Sequence, residues 1–157
     1  MHGMIATITF LLKLTTIAYA PGSEFSGPWL TDDGEAAIEF RTCGEGLCGV
    51  IVWLKSPLDD GEPARDDHNP DPRLRDRPLC GLAVIGSLHR NGDQMDGGWI
   101  YDPEGGTRYQ VAIRQRQRDT LDVTGFVGIE TFGRRVKWRR APVDLPRCAP
   151  GAGSTGL

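Results

Sequence analysis

Between residues 56 and 78 the chain reads SPLDDGEPARDDHNPDPRLRDRP, with five prolines, eleven charged side chains and almost nothing apolar. Asp66, Asp67, Asn69 and Asp71 offer the hard oxygens that a divalent cation takes. The same residues also suit Asx turns ahead of proline, in which the side chains accept from local backbone amides. Set against the calcium-loop pattern, Asp67, Asn69 and Asp71 fit the first three ligand positions. Pro72 then stands where glycine is required and Pro78 where the closing glutamate belongs. With Arg73, Arg75 and Arg77 at hand to neutralise the acids, a rigid packed lid is expected, with no metal and no cofactor. A second group follows at Trp99 and Tyr101-Asp102-Pro103-Glu104-Gly105-Gly106, a hairpin turn that Asp102 can cap. Asp102 beside Arg73 or Arg77 would make a polar cluster. The candidate ligand cluster is therefore Asp67, Asn69, Asp71, Arg73, Arg77, Trp99, Tyr101, Asp102 and Tyr109.

Catalytic constellations are sparse. The chain has no G-x-S-x-G, no H-E-x-x-H and no phosphate-binding glycine loop. Past residue 20 only His68 and His89 remain. No catalytic residue is assigned. The enzymatic alternative is a hydrolase using Asp67, Asp71 or Asp102 as acid or base, which needs two carboxylates converging in a cleft.

These groups need a scaffold, and composition limits its kind. The 157 residues are 39% apolar and 25% charged, in the range of one globular domain. Twenty-one glycines and eleven prolines suit short strands joined by tight turns. Period-two patterns dominate. Ala36, Ile38 and Phe40 alternate with Glu39 and Arg41, Tyr109, Val111 and Ile113 with Gln110 and Arg114, and Val136 and Trp138 with Lys137 and Arg139. Residues 48–54 read as an apolar strand with Val50, Val52 and Leu54 on one face and Ile51 and Trp53 on the other. Residues 79–88 form a similar run. With 27–31, 98–101 and 121–124, eight strands follow one another by short connections, apart from 56–78. The expected fold is all-β, an eight-stranded antiparallel up-and-down barrel with one long loop over the rim.

The N-terminus carries an apolar run, Ile5 to Leu12, followed by Ala18-Tyr19-Ala20, the small-x-small form of a signal-peptidase site. Residues 1–20 are read as a signal peptide cut after Ala20 or Ala18, 21–141 as the barrel domain, and 142–157 as a largely irregular tail. The apolar run is too short to span a membrane. A periplasmic or secreted location follows. Cys43 and Cys48 enclose Gly44-Glu45-Gly46-Leu47, read as a four-residue turn that sets the two cysteines opposite each other within disulfide range. Cys80 and Cys148 are left over to pin the tail, although four cysteines allow three pairings.

Net charge is −3 overall but uneven. Residues 24–107 hold seventeen acids against seven bases, and 108–140 nine bases against three acids. Arg114, Arg116 and Arg118 on one strand and Arg135, Lys137 and Arg139 on another are read as salt-bridged ladders around Asp122, or as a cationic patch for envelope polymers. No aromatic side chains interleave this strip, so nucleic acid is not an expected partner.

Gly27-Pro28-Trp29 and Trp138-Arg139-Arg140 resemble the ends of lipocalin (calycin)-like barrels, where an early Gly-x-Trp packs beneath an arginine of the last strand. That resemblance gives Trp29, Trp138 and Arg140 structural roles, with Arg139 as the other candidate for the stacking cation. More closely, LCGVIVWLK (47–55), DDHNPDPRLRDRPLCG (66–81), WIYDPEGGTRY (99–109), LDVTGFVG (121–128) and VKWRR (136–140) resemble the bacterial family called domain of unknown function 2147. The resemblance implies a small exported protein with a lipocalin-like barrel and no established activity. Cys80 departs from the aliphatic residue expected there, and Cys148 lies beyond the matched region. The expected function is a binding or interaction module for a small apolar ligand or an envelope partner, acting as a monomer.

Overall fold

The computed structural model describes residues 23–148. The leader read at 1–20 and the tail past 148 lie outside the described residues.

Ten strands run in chain order: β1 (Pro28–Leu30), β2 (Ala36–Cys43), β3 (Gly46–Leu54), β4 (Leu58–Asp59), β5 (Glu62–Pro63), β6 (Ala83–Asn91), β7 (Gln94–Asp102), β8 (Thr107–Gln117), β9 (Thr120–Phe126) and β10 (Arg134–Arg140). Eight of them close into one antiparallel barrel in the order β1-β10-β9-β8-β7-β6-β3-β2, with β4 and β5 set apart as a small hairpin in the long loop. Closure gives each barrel strand a neighbour on both sides, so the barrel has no edge strand. The all-β, up-and-down expectation holds. The even meander sorts the connections into two ends. One end carries the β2–β3, β6–β7 and β8–β9 turns, and the other the β1–β2 and β7–β8 turns, the β9–β10 connection and the loop from β3 to β6.

Three local expectations are corrected. First, β3 does not keep one alternation from Cys48 to Leu54. Ala37 pairs with Trp53 but Ile38 with Ile51. That bulge adds a residue and turns both Ile51 and Leu54 inward. Second, β6 begins at Ala83, because residues 79–82 form a turn closed by the Leu82 N–H donating to the Leu79 carbonyl at 3.0 Å. Third, the cysteine hairpin is tighter than a four-residue loop. Cys43 pairs with Gly46, leaving two turn residues, with Gly44 at φ +59 where a side chain would be strained. The Cys43–Cys48 bond is present, but it joins diagonal positions 5.8 Å apart at Cα.

Cys80 and Cys148 are also bonded, with their Cα atoms 5.9 Å apart. The segment after β10 lies along β1, β2 and β3. The Ala141 N–H donates to the Pro28 carbonyl, Arg147 forks onto Glu39 with two bonds of 2.7 Å, and the Cys148 N–H donates to the Val52 carbonyl at 2.7 Å. Arg147 holds the Glu39 carboxyl below its ordinary range by those hydrogen bonds. Among the described residues no helix is long and apolar enough to cross a membrane.

The β2–β3 end is filled. A 3-10 turn at Ser23–Phe25 plugs it, and Trp29, Phe25, Leu88, Ile113 and Leu121 are all 2% exposed or less. The Trp29 indole N–H donates to the Phe25 carbonyl at 3.0 Å. Arg140 lies 4.2 Å over the Trp29 ring and donates to the carbonyls of Ser26 (2.5 Å), Arg118 (3.1 Å) and Glu24 (3.3 Å). Arg140, not Arg139, is the stacking cation. Trp138, 4% exposed, packs in the same core.

Candidate functional site

The other half of the barrel is not filled. A cavity of about 530 Å³ opens at the end bearing the β1–β2 and β7–β8 turns. Its body is apolar, formed by Ile38, Ile51, Val84, Ile100, Val123 and Val136 around Trp138, with Leu54 and Leu79 nearer the opening. Two small residues keep it open. Ala36 and Gly125 face it, and a Cβ built at Gly125 would meet nothing nearer than 3.8 Å. Elsewhere in the barrel glycine has the opposite effect: a Cβ at Gly49 would fall 2.9 Å from Ile38 Cγ2. Side-chain volume, set strand by strand, thus decides which half holds a void.

The rim is polar and mostly acidic. Asp32, Asp33 and Glu35 reach it from the β1–β2 turn, Asp102 and Glu104 from the β7–β8 turn, and Arg134 from the start of β10. Asp33 accepts from the Thr31 hydroxyl at 2.6 Å and from the Glu35 N–H at 3.0 Å. Lys55 bonds Glu35 at 2.7 Å, and Asp102 caps its own turn by accepting from the Glu104 N–H at 3.0 Å. Tyr109 faces the cavity between the acidic turn and Gly125, and its hydroxyl has no hydrogen-bond partner among the described residues.

The long loop is ordered around one carboxylate. Asp66, fully buried, accepts from the Tyr101 hydroxyl at 2.6 Å, Asn69 Nδ2 at 2.7 Å and Arg77 Nη2 at 2.6 Å. Asn69 Nδ2 also reaches the Tyr101 oxygen at 3.1 Å, and an Arg65–Pro78 bridge closes the loop's base. Burial, then the bond to and charge of Asp66, push the Tyr101 hydroxyl up to about 12. Asp71 caps the 3-10 turn Pro72–Leu74 through the Arg73 N–H and also pairs with the Arg73 guanidinium, which holds its carboxyl low. The proline-rich run therefore folds by Asx turns. A Cβ at Gly106 would overlap the His68 carbonyl, so this glycine lets the loop seat directly on the β7–β8 turn.

The expected cluster divides in three. Tyr101, Asp102 and Tyr109 border the cavity, although the Tyr101 hydroxyl is committed to Asp66. Asn69 and Arg77 join Tyr101 in the loop anchor. Asp67, Asp71, Arg73 and Trp99 do not line the cavity. Trp99 lies on the outer face, between Gly86 and the Arg108 guanidinium 4.0 Å from its ring. Of the three carboxylates named for hydrolysis, Asp102 alone reaches the cavity. Asp32, Asp33, Glu35, Glu104 and Arg134 were not foreseen. The signal existed, since in an up-and-down barrel every second turn falls at the same end.

On the outer wall Arg114 pairs with Glu130 at 2.5 Å and Arg116 with Asp122 at 2.7 Å. Arg118 lies beyond the end of β8, where its carbonyl receives Arg140.

Residues 27–140 match the family described as an uncharacterised protein conserved in bacteria, DUF2147. Among solved structures the chain is similar to protein HP1028 from the human pathogen Helicobacter pylori, described as belonging to the lipocalin family. Identity is 22%, the TM-score 0.65, and the likeness covers 76% of this chain and 84% of that one. Likeness at that identity bears on the fold alone. No curated protein matches. The eight-stranded closure, the Trp29–Arg140 stack and the matched span of 27–140 agree, and the chain belongs to the DUF2147 family, with a lipocalin-like barrel.

Proposed function

We propose that the protein is a binding module that holds a small molecule with a mainly apolar body in the open half of its barrel. The observation that carries this reading is the uneven filling. One half of the interior is packed, and the other keeps an apolar cavity of about 530 Å³, inside the range of roughly 300–1,000 Å³ typical of small-ligand sites. An apolar body transferred there gains about 25 cal/mol for each Å² removed from water. Tyr109 and the rim supply the few polar groups that orient a ligand. Two disulfides suit an oxidising compartment. Together with the leader read at 1–20, they support a periplasmic or secreted carrier.

The test is native mass spectrometry of protein purified from its own cell envelope, before and after denaturation, with Nile red titration of the stripped protein. A small molecule released on unfolding, or saturable uptake of the neutral dye, is the expected result. Protein that emerges empty and takes up no dye overturns the reading.

A further inference from the structure

We infer that the molecule held in the cavity carries a cationic head, an ammonium or similar organic cation at one end of an apolar body, which the acidic rim recognises. This rests on the reading of the cavity as a binding site and adds the charge of its occupant. The rim carries five carboxylates against the single guanidinium of Arg134. Even with Lys55 neutralising Glu35, three negative charges are in excess. Asp32 and Glu104 make no side-chain hydrogen bond or ion pair among the described residues, and Asp102 spends only one oxygen on its turn. Around the barrel the β1–β2 and β7–β8 turns flank the β9–β10 connection, so acids approach the opening from two sides.

Carboxylates above a low-dielectric wall focus their field into the opening and favour a cation there. Their spacing argues for an organic cation over a metal ion, because no three acid, histidine or cysteine side chains among the described residues are grouped closely enough to hold one. A head paired with Arg134 would be anionic and would meet the surrounding acids, with like charges opposed on both flanks.

Three probes of one chain length separate the possibilities: decylamine, decan-1-ol and decanoate, each measured by Nile red displacement at pH 7 in low salt. The amine is charged at that pH, as lysine is. The expected order is amine, alcohol, acid, with the amine about tenfold tighter than the alcohol and the preference shrinking to within about threefold in 0.5 M salt. In a D32N/D102N/E104Q variant the amine-to-alcohol ratio should likewise fall to about threefold or less. Asn at 102 keeps the acceptor that caps the turn. Decanoate binding as well as the amine, or an amine preference that survives both salt and the variant, overturns the cationic head and leaves the cavity reading intact. No displacement by any of the three overturns the cationic head, whereas a stripped protein that takes up no Nile red in the first place overturns the cavity reading. Should the variant not fold, the salt series and the decanoate comparison on the wild-type chain still decide.

Discussion

Tyr101→Phe removes one hydroxyl and nothing else from the anchor of the long loop. The ring stays, so no cavity opens and almost no apolar burial is lost. What disappears is chiefly a 2.6 Å bond to a fully buried carboxylate, which keeps Asn69 and Arg77 as donors, together with the longer 3.1 Å bond that Asn69 Nδ2 gives the hydroxyl oxygen. A hydrogen bond to a charged group contributes about 1.5–3 kcal/mol. For a chain of this size that corresponds to roughly 5–10 °C in Tm. The assay is urea unfolding with the disulfides intact, run at pH 7, 10 and 11.5. The sign of the pH dependence is fixed by the raised Tyr101 hydroxyl. Its folded value of about 12 lies above the ordinary 10, so its contribution is whole below pH 10 and lost as pH rises through about 12. The gap between wild type and variant should therefore close over that window. A gap under about 0.5 kcal/mol at pH 7, the margin typical of neutral surface changes, or one that stays constant to pH 11.5, would refute the reasoning.

Gly125→Leu adds a side chain to the cavity wall where a Cβ meets only ordinary contacts, so Nile red uptake should fall about tenfold or more while stability changes by less than about 1 kcal/mol. Arg140→Ala loses three carbonyl partners and the stack on Trp29, and urea midpoints should report a cost of about 2 kcal/mol. Arg140→Lys should recover less than half of it, because an ammonium cannot fork to those carbonyls while lying flat on the indole. The two disulfides should differ in weight, since their loops do. On loop entropy, paired serine replacement should cost about 2 kcal/mol at Cys43 and Cys48 and about 4 kcal/mol at Cys80 and Cys148, whose sequence separations are 5 and 68. Chemical unfolding of the two double variants would compare them directly.

Much of the wall was legible because period two is a local signal. Ala36, Ile38 and Phe40, or Tyr109, Val111 and Ile113, reveal their inward face without any knowledge of the neighbouring strand. Where a strand slips, the signal fails. The bulge beside Ile38 reassigns Leu54 to the interior, and only the pairing of β2 with β3 sets it there. The cysteine hairpin shows the same limit, since the bond was readable from spacing but its register needed the actual turn.

The candidate site was legible in parts and misjudged in emphasis. The chemistry-rich segment 56–78 drew attention because its composition is unusual, yet its best-placed acid, Asp66, is saturated by Tyr101, Asn69 and Arg77. The cavity is built instead from ordinary turn and strand residues that lie far apart in the chain and share only an end of the barrel.

The residues alone determined the strand pattern, the crowding of turns and the means for two cross-links, since each depends on neighbours a few positions away. The register in which β1 meets β10, the division of the interior into a packed half and a hollow one, and the gathering of five carboxylates at one opening were decided only in three dimensions. They arise from distances between segments as much as 111 positions apart, as Trp29 and Arg140 are, which no local pattern encodes.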